Sequence, residues 1–350
     1  MPCPPCLQEP DAVGKLRYLA RIASGLRVKK LRDVLDRTQE KCGKNRVFLL
    51  LDMLWCAARY GCGFHDYLIF GWYDMNARQR ATYITRVSNK RINELCNDPA
   101  YSHLFDRKCE FNKLFKEFLG RETVDLAETD REAFRAFMAD KEVIFCKPNS
   151  SESGKGIERL VKSDFASVDE LYDYVMQPEK NFGVAEQEII QHPDAARPYP
   201  PAVNTLRINT LARNGEVHIP FCTFKMGNLG KHVDNMENDG LACPVDMETG
   251  KICGVAHTSK LINYDVHPYT GVPLLGYQLP FIPEALDLVK KAALVVPQIG
   301  HVGWDVCLTP DGPAIIEGND FPGYDFSQLP EHTPDKIGNL PFYKKYIPEL

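Results

Sequence analysis

The stretch HVGWDVCLTPDGPAIIEGND, from His301 to Asp320, constrains the fold of this chain more than any other. Val302 to Leu308 is largely apolar and β-prone, Ala314 to Glu317 is apolar again, and Thr309-Pro310-Asp311-Gly312-Pro313 between them is dense in turn-forming residues. The pattern predicts two strands joined by a tight turn. A three-residue loop, Pro310 to Gly312, sets Thr309 opposite Pro313, and counting back along both strands sets Asp305 opposite Glu317. Glu317 and Asn319 are two apart and point to the same side of their strand. Three oxygen-bearing side chains thereby meet at one place. Carboxylate and amide oxygens are the ligands that Mg2+ accepts, with phosphates completing the shell. The competing explanation is a surface hairpin with its polar side chains in water.

The rest of the chain has room for such a site and a large core. It has 350 residues, 44% apolar and 25% charged, the balance of a soluble globular protein. A net charge of −5 argues against a general nucleic-acid binder. The longest apolar run, Val47 to Ala58, is interrupted by Asp52 and reads as a buried helix, not a membrane span. The N-terminus MPCPPCLQEP has no basic region followed by an apolar one, so export by a signal peptide is not expected. Twelve cysteines are scattered, several inside apolar stretches, which suits reduced, buried thiols and a cytoplasmic location. Cys3 and Cys6 form a lone C-x-x-C with no second pair at zinc-site spacing.

Residues 13 to about 120 read as mainly helical. Leu16, Leu19, Ile22, Leu26, Leu31 and Leu35 recur at near-helical spacing in a basic segment. That segment suits a membrane surface, a partner helix or a solvated helical face. Asn76 to Asn97 reads as one helix, and Phe111 to Leu119 as another ending at Gly120. From Glu142 strands dominate, broken by a helix after the capping box Ser167 to Glu170 and by another over Phe281 to Val296. The boundary between the two patterns lies near residues 120 to 141.

Phosphate-handling residues precede the hairpin in order. Lys147 ends the strand VIFCK, and a loop with Ser150, Ser153, Gly154 and Gly156 leads into the strand IERLV. Glycine lets backbone N–H groups close on phosphate oxygens, serine hydroxyls add donors, and the lysine supplies a point charge. The loop matches neither the Walker A nor the G-x-G-x-x-G pattern. Arg207 alternates with Leu206 and Ile208 and so points to one strand face; Lys225 follows in CTFKMG. Cations that hold phosphate oxygens, followed by carboxylates that hold a bridging Mg2+, is the order of a nucleotide–metal site.

At this point the chain resembles the ATP-grasp superfamily, and in wording its sugar-transfer associated branch. The phrases that carry the resemblance are KPNSSESGKGIERL, EQEIIQHPDA, VNTLRINTL, HVDNMENDG, VDMETGK, HPYTG and GWDVCLTPDGPAIIEGND, with YGCGFHDY nearer the N-terminus. The resemblance implies an α+β fold in which two subdomains grip ATP, preceded by a helical N-terminal region. The helical region would be 1–120 and the ATP-grasp domain 121–350, with a phosphate-loop subdomain at 141–190 and a metal-binding subdomain at 200–322. It further implies that Lys147 and Lys113 contact ATP, and that Ser150, Ser153, Gly154 and Gly156 fold over its phosphates. Gln187, Glu188 and Ile190 would form the hinge against the adenine edge, and Arg207 and Lys225 would serve the reacting centre. Asp305, Glu317 and Asn319 would bind Mg2+, and Asn235 would lie near the acceptor. A helical N-terminal half departs from the α/β domain many relatives carry there, so acceptor identity does not transfer. The chemistry implied is ATP-dependent joining of a carboxylate to an amine, on a small-molecule, peptide or saccharide acceptor. Two alternatives remain: a kinase of a hydroxyl, and a non-catalytic ATP-binding partner of a glycosyltransferase.

Overall fold

A computed structural model describes residues 28–150 and 156–350. Cys3, Cys6, Ser153, Gly154 and the expected amphipathic segment up to residue 27 lie outside the described residues. Packing divides the chain into two compact units, one of residues 28–91 with Tyr324–Leu350 and one of Ile92–Gly323. The sequence had suggested a boundary at 120/121.

The first unit is helical. In the helix Arg46–Tyr60, Asn45 caps the first turn by accepting from the N–H groups of Val47 (2.9 Å) and Phe48 (3.3 Å). Gly61 closes it in the left-handed region, with Val87 so near that a Cβ would lie 2.5 Å from its Cγ2. This apolar helix is not buried all round as expected. Leu49, Met53, Cys56 and Ala57 face inward, while Val47, Phe48, Leu51 and Trp55 are 48–65% exposed. Asp52, the charge within the run, is held by Arg80 (2.8 and 2.7 Å) and by the Tyr67 hydroxyl (2.6 Å). The helix read over 76–97 is two, Ala77–Arg80 and Arg86–Cys96, separated by a turn.

The second unit holds two antiparallel sheets. The smaller has the order β1-β4-β2-β3, from β1 (Thr123–Asp125), β2 (Val143–Lys147), β3 (Glu158–Val161) and β4 (Val184–Gln187). Ile144, Cys146, Leu160 and Ala185 pack against the helices Arg131–Phe137 and Val168–Val175. Alternation sends Lys147 and Glu186 to the other face. The larger sheet comprises β5 (Thr205–Arg213), β6 (Glu216–His218), β7 (Cys222–Met226), β8 (Leu241–Pro244), β9 (Ala256–His257), β10 (Asn263–Tyr264), β11 (His301–Thr309) and β12 (Gly312–Asn319). Its order is β10-β9-β8-β7-β5-β11-β12, with β6 paired to the end of β5. Leu206, Ile208, Phe224, Val302, Trp304 and Ile315 line its apolar face with the helix Ile282–Ala292, so their neighbours in sequence point away from the core.

β11 and β12 form the expected hairpin, with Asp305 opposite Glu317 and Gly303 opposite Asn319, by an unexpected route. Thr309 faces Gly312, not Pro313, so the turn holds two residues, Pro310 and Asp311. That register alone would set Asp305 opposite Ile316 and turn Glu317 to the wrong face. A β-bulge corrects it: Val306 faces Ile315 and Asp305 faces Glu317, so Ile316 is the extra residue.

Candidate active site

Four neighbouring strands carry the centre of the site. Arg207 on β5 lies opposite Asp305 on β11, which lies opposite Glu317 on β12; Lys225 on β7 lies opposite Thr205, two residues from Arg207. All therefore share one sheet face. Arg207 grips Asp305 with two bonds, Nε to Oδ1 at 2.6 Å and Nη2 to Oδ2 at 2.9 Å, and Lys225 Nζ reaches Oδ2 at 3.1 Å. Burial would raise the pKa of Asp305, but the charges of Arg207 and Lys225 outweigh it and hold the carboxyl well below the usual range. Glu317 goes the other way. It is exposed, yet desolvation by the surrounding protein, and next the charge of Asp305, raise its pKa, against Arg207, Lys225 and Lys147.

The smaller sheet adds a second cluster. Lys147 Nζ lies 2.6 Å from Oε2 of Glu186, a residue only 3% exposed. Arg121 (2.9 Å) and Asn112 (3.3 Å) hold the same carboxylate. Burial disfavours the ionised form, but the charges of Lys147 and Arg121 pull the pKa down to about 2. Lys108 is half-buried with its pKa lowered by burial, and Glu317, Lys147 and Glu186 are the charges around it.

The remaining candidates from the sequence are placed as follows. Ser150 is exposed at the start of its loop, and Gly156 ends it at φ +73°, where a Cβ would lie 2.9 Å from Pro148. Gln187 ends β4, its N–H donating to Glu122 (2.9 Å) and its side-chain oxygen accepting from the Glu122 N–H (3.1 Å). Glu188 pairs with Arg159 (3.1 Å), and Ile190 is exposed. The Asn235 carbonyl accepts from Asn238 (2.9 Å) and Gly240 (3.2 Å), ordering a loop whose Asp234 lies 3.6 Å from Lys225 and accepts from Thr205. Asn319 accepts from the Phe321 N–H at 3.0 Å. Lys113 is not brought to the cluster: it pairs with Asp125 (2.8 Å) and Glu128 (2.6 Å) beside a cavity of about 260 Å³ also lined by Cys109 and Thr123. Lys108, Arg121, Glu186 and Asp234 are the additions. Glu186 opens EQEIIQHPDA and Asp234 lies in HVDNMENDG, while Lys108 stands five residues before Lys113.

Among the described residues no group of three or more His, Cys, Asp or Glu side chains is arranged to hold a metal ion. A paired Asp and Glu with an Asn nevertheless suits Mg2+, which keeps waters and shares phosphate oxygens. The fit rests on geometry: Asp305 and Glu317 face each other across the hairpin, and Asn319 follows two residues on along β12. The described cysteines Cys42, Cys56, Cys62, Cys96, Cys109, Cys146, Cys222, Cys243, Cys253 and Cys307 are free thiols. No helix among the described residues is long and apolar enough to cross a membrane.

Two antiparallel sheets, one carrying Lys147 and the other the hairpin with Asp305 and Glu317, belong to an α+β protein of the ATP-grasp fold. The chain belongs to the sugar-transfer associated ATP-grasp family, whose sequence model matches residues 79–334. No curated protein matches it. Among solved structures it is similar to the ATP-grasp ligase PsnB complexed with a phosphomimetic variant of its minimal precursor, Mg and ADP. That match has 14% identity and a TM-score of 0.38, over 73% of this chain and 60% of that one. It is also similar to the VanG D-Ala:D-Ser ligase of Enterococcus faecalis (13%, TM-score 0.41, 72% and 63%). A third is the L-amino acid ligase of Bacillus licheniformis (15%, TM-score 0.38, 70% and 48%). The chain spans less than two thirds of the length of each of these.

Proposed function

We propose that the protein is an ATP- and Mg2+-dependent ligase that joins a carboxylate to an amine through an acyl phosphate. The observation that carries this is the Asp305 carboxylate held by Arg207 and Lys225, directly across the hairpin from Glu317. Lys147 and Lys108, with the loop from Ser150 to Gly156, hold the ATP phosphates. Asp305, Glu317 and Asn319 hold Mg2+, which when bound draws charge from the phosphate oxygens. The segment 141–190 is then the phosphate part of the site and 200–322 the metal part.

The acceptor carboxylate oxygen bonds to the γ-phosphorus as the bond to ADP breaks. The amine nitrogen then bonds to the acyl carbon, phosphate departs, and the amine loses a proton. Arg207 and Lys225 neutralise charge on the transferring group, and the sheet holds them in place before the reaction begins. No nucleophilic side chain is required. Lys225 lies between two carboxylates, 3.1 Å from Asp305 and 3.6 Å from Asp234, which hold its ammonium at the centre of the site. The acceptor is a small molecule, peptide or saccharide.

Incubation with ATP·Mg2+ and pools of carboxylates and amines tests the reading. ADP release that requires both, with a product mass equal to the two reactants less water, is expected. ADP release with a hydroxyl acceptor alone would establish a kinase instead. Nucleotide binding without turnover across the pools would indicate a non-catalytic role.

A further inference from the structure

Arg121 is the residue that touches both halves of the site. Its side chain is 2% exposed, and its guanidinium donates four hydrogen bonds besides its ion pair. Nε donates to the Glu186 carboxylate (3.0 Å), with which Nη2 is ion-paired at 2.9 Å; Nη1 donates to the carbonyls of Leu119 (3.2 Å) and Ile315 (2.7 Å), and Nη2 to the carbonyl of Ile316 (3.3 Å). Ile315 and Ile316 are the bulge of β12, an edge strand, so these carbonyls have no further strand to pair with. Gly120 brings Arg121 there: its φ is +58°, and a Cβ would lie 2.6 Å from that of Ala314. One side chain thus holds both the irregularity that sets Glu317 opposite Asp305 and the carboxylate that grips Lys147.

We propose that Arg121 is a positioning residue that couples nucleotide capture to the metal side of the site; the inference rests on the ATP-site reading above. Glu186 is nearly fully buried, so its charge needs a permanent partner. With Arg121 in place, Lys147 is free to leave Glu186 for a phosphate without stranding a buried carboxylate. With Arg121 neutralised, Lys147 stays on Glu186 and the nucleotide loses its lysine. Because Arg121 also pins the bulge, its loss loosens the Asp305–Glu317 register and with it the response to Mg2+.

The test is ATP binding by the full chain, with EDTA and with Mg2+, for wild type, Arg121→Gln and Arg121→Gln/Glu186→Gln, with thermal unfolding alongside. In EDTA, R121Q should bind about tenfold more weakly, the scale of one lost charge-assisted contact. The double variant should return to within about threefold of wild type, because the carboxylate that trapped Lys147 is neutral. The gain in affinity that wild type shows on adding Mg2+ should be absent from both variants. A merely structural arginine would give no recovery in the double variant. Unchanged binding in R121Q, no recovery, or a full Mg2+ gain in the double variant would overturn the inference while leaving the ATP site standing. Wild type that binds no ATP would overturn that site and this inference with it. Should R121Q fail to fold, the double variant carries the test alone: it must fold and bind within about threefold, and failure in either overturns the inference.

Discussion

Glu317→Gln should change the empty protein and the loaded protein in opposite directions. Facing carboxylates on paired strands have Cβ atoms about 5 Å apart. At that distance and an effective dielectric near 20, two unit charges repel by about 3 kcal/mol. Arg207 and Lys225 offset much of this for Asp305 and Glu317, and Glu317 is exposed to solvent, so about 1 kcal/mol or less remains. The sign follows from titration. A carboxyl whose pKa is raised on folding destabilises the folded state once pH passes the unfolded value, so at neutral pH Glu317 is a liability in the empty protein. E317Q keeps size and shape and removes the charge. Its Tm without ligand should rise, by at most about 2–4 °C, the shift that 1 kcal/mol gives in a unit of this size. The further rise that Mg2+ adds to ATP in wild type should be lost, together with turnover. Thermal unfolding of both proteins, empty, with ATP in EDTA, and with ATP·Mg2+, reads every term. A lower Tm for empty E317Q, or an undiminished Mg2+ increment, would refute the reasoning that the Glu317 charge serves a bound cation.

Three further outcomes are expected. Arg207→Ala should keep ATP binding and lose turnover by about 10²-fold or more, as when one charge-stabilising donor is removed, which ADP release and nucleotide titration measure together. Glu186, with its pKa depressed from 4.5 to about 2, stabilises the fold above the unfolded value and loses that contribution as pH falls to about 2. It amounts to about 3 kcal/mol, so a denaturant series between pH 6 and 2 should lose roughly that much more in wild type than in Glu186→Gln. Exposed Cys253 should react with maleimide well before buried Cys222 and Cys243, whose thiols burial pushes far up; peptide mass mapping after timed quenching would show equal rates if the burial pattern is wrong.

Short-range periodicity made much of the site readable in advance. A strand alternates its side chains, so the spacing of Arg207 within LRI, and of Glu317 and Asn319, put each on a polar face before any tertiary contact was known. VIFCK ends at Lys147 in the structure as it does in the sequence pattern. The facing of Asp305 and Glu317 also came out as read, although a turn one residue shorter is offset by a bulge of one residue. Turn chemistry fixes local length only to within a residue, whereas a bulge depends on whatever satisfies its carbonyls. Here that is Arg121, 194 and 195 positions away along the chain. The same limit explains Asp52, which breaks an apolar run until Arg80 arrives from 28 residues on. It also explains the lysines: Lys108 and Lys113 share a short helix, and spacing alone does not say which of them meets the charges of Glu317 and Glu186 and which turns to Asp125. Periodicity assigns a side chain to a face. Which groups complete a buried charge is decided only when distant segments close on one another, because that is when the cost of leaving the charge unpaired first appears.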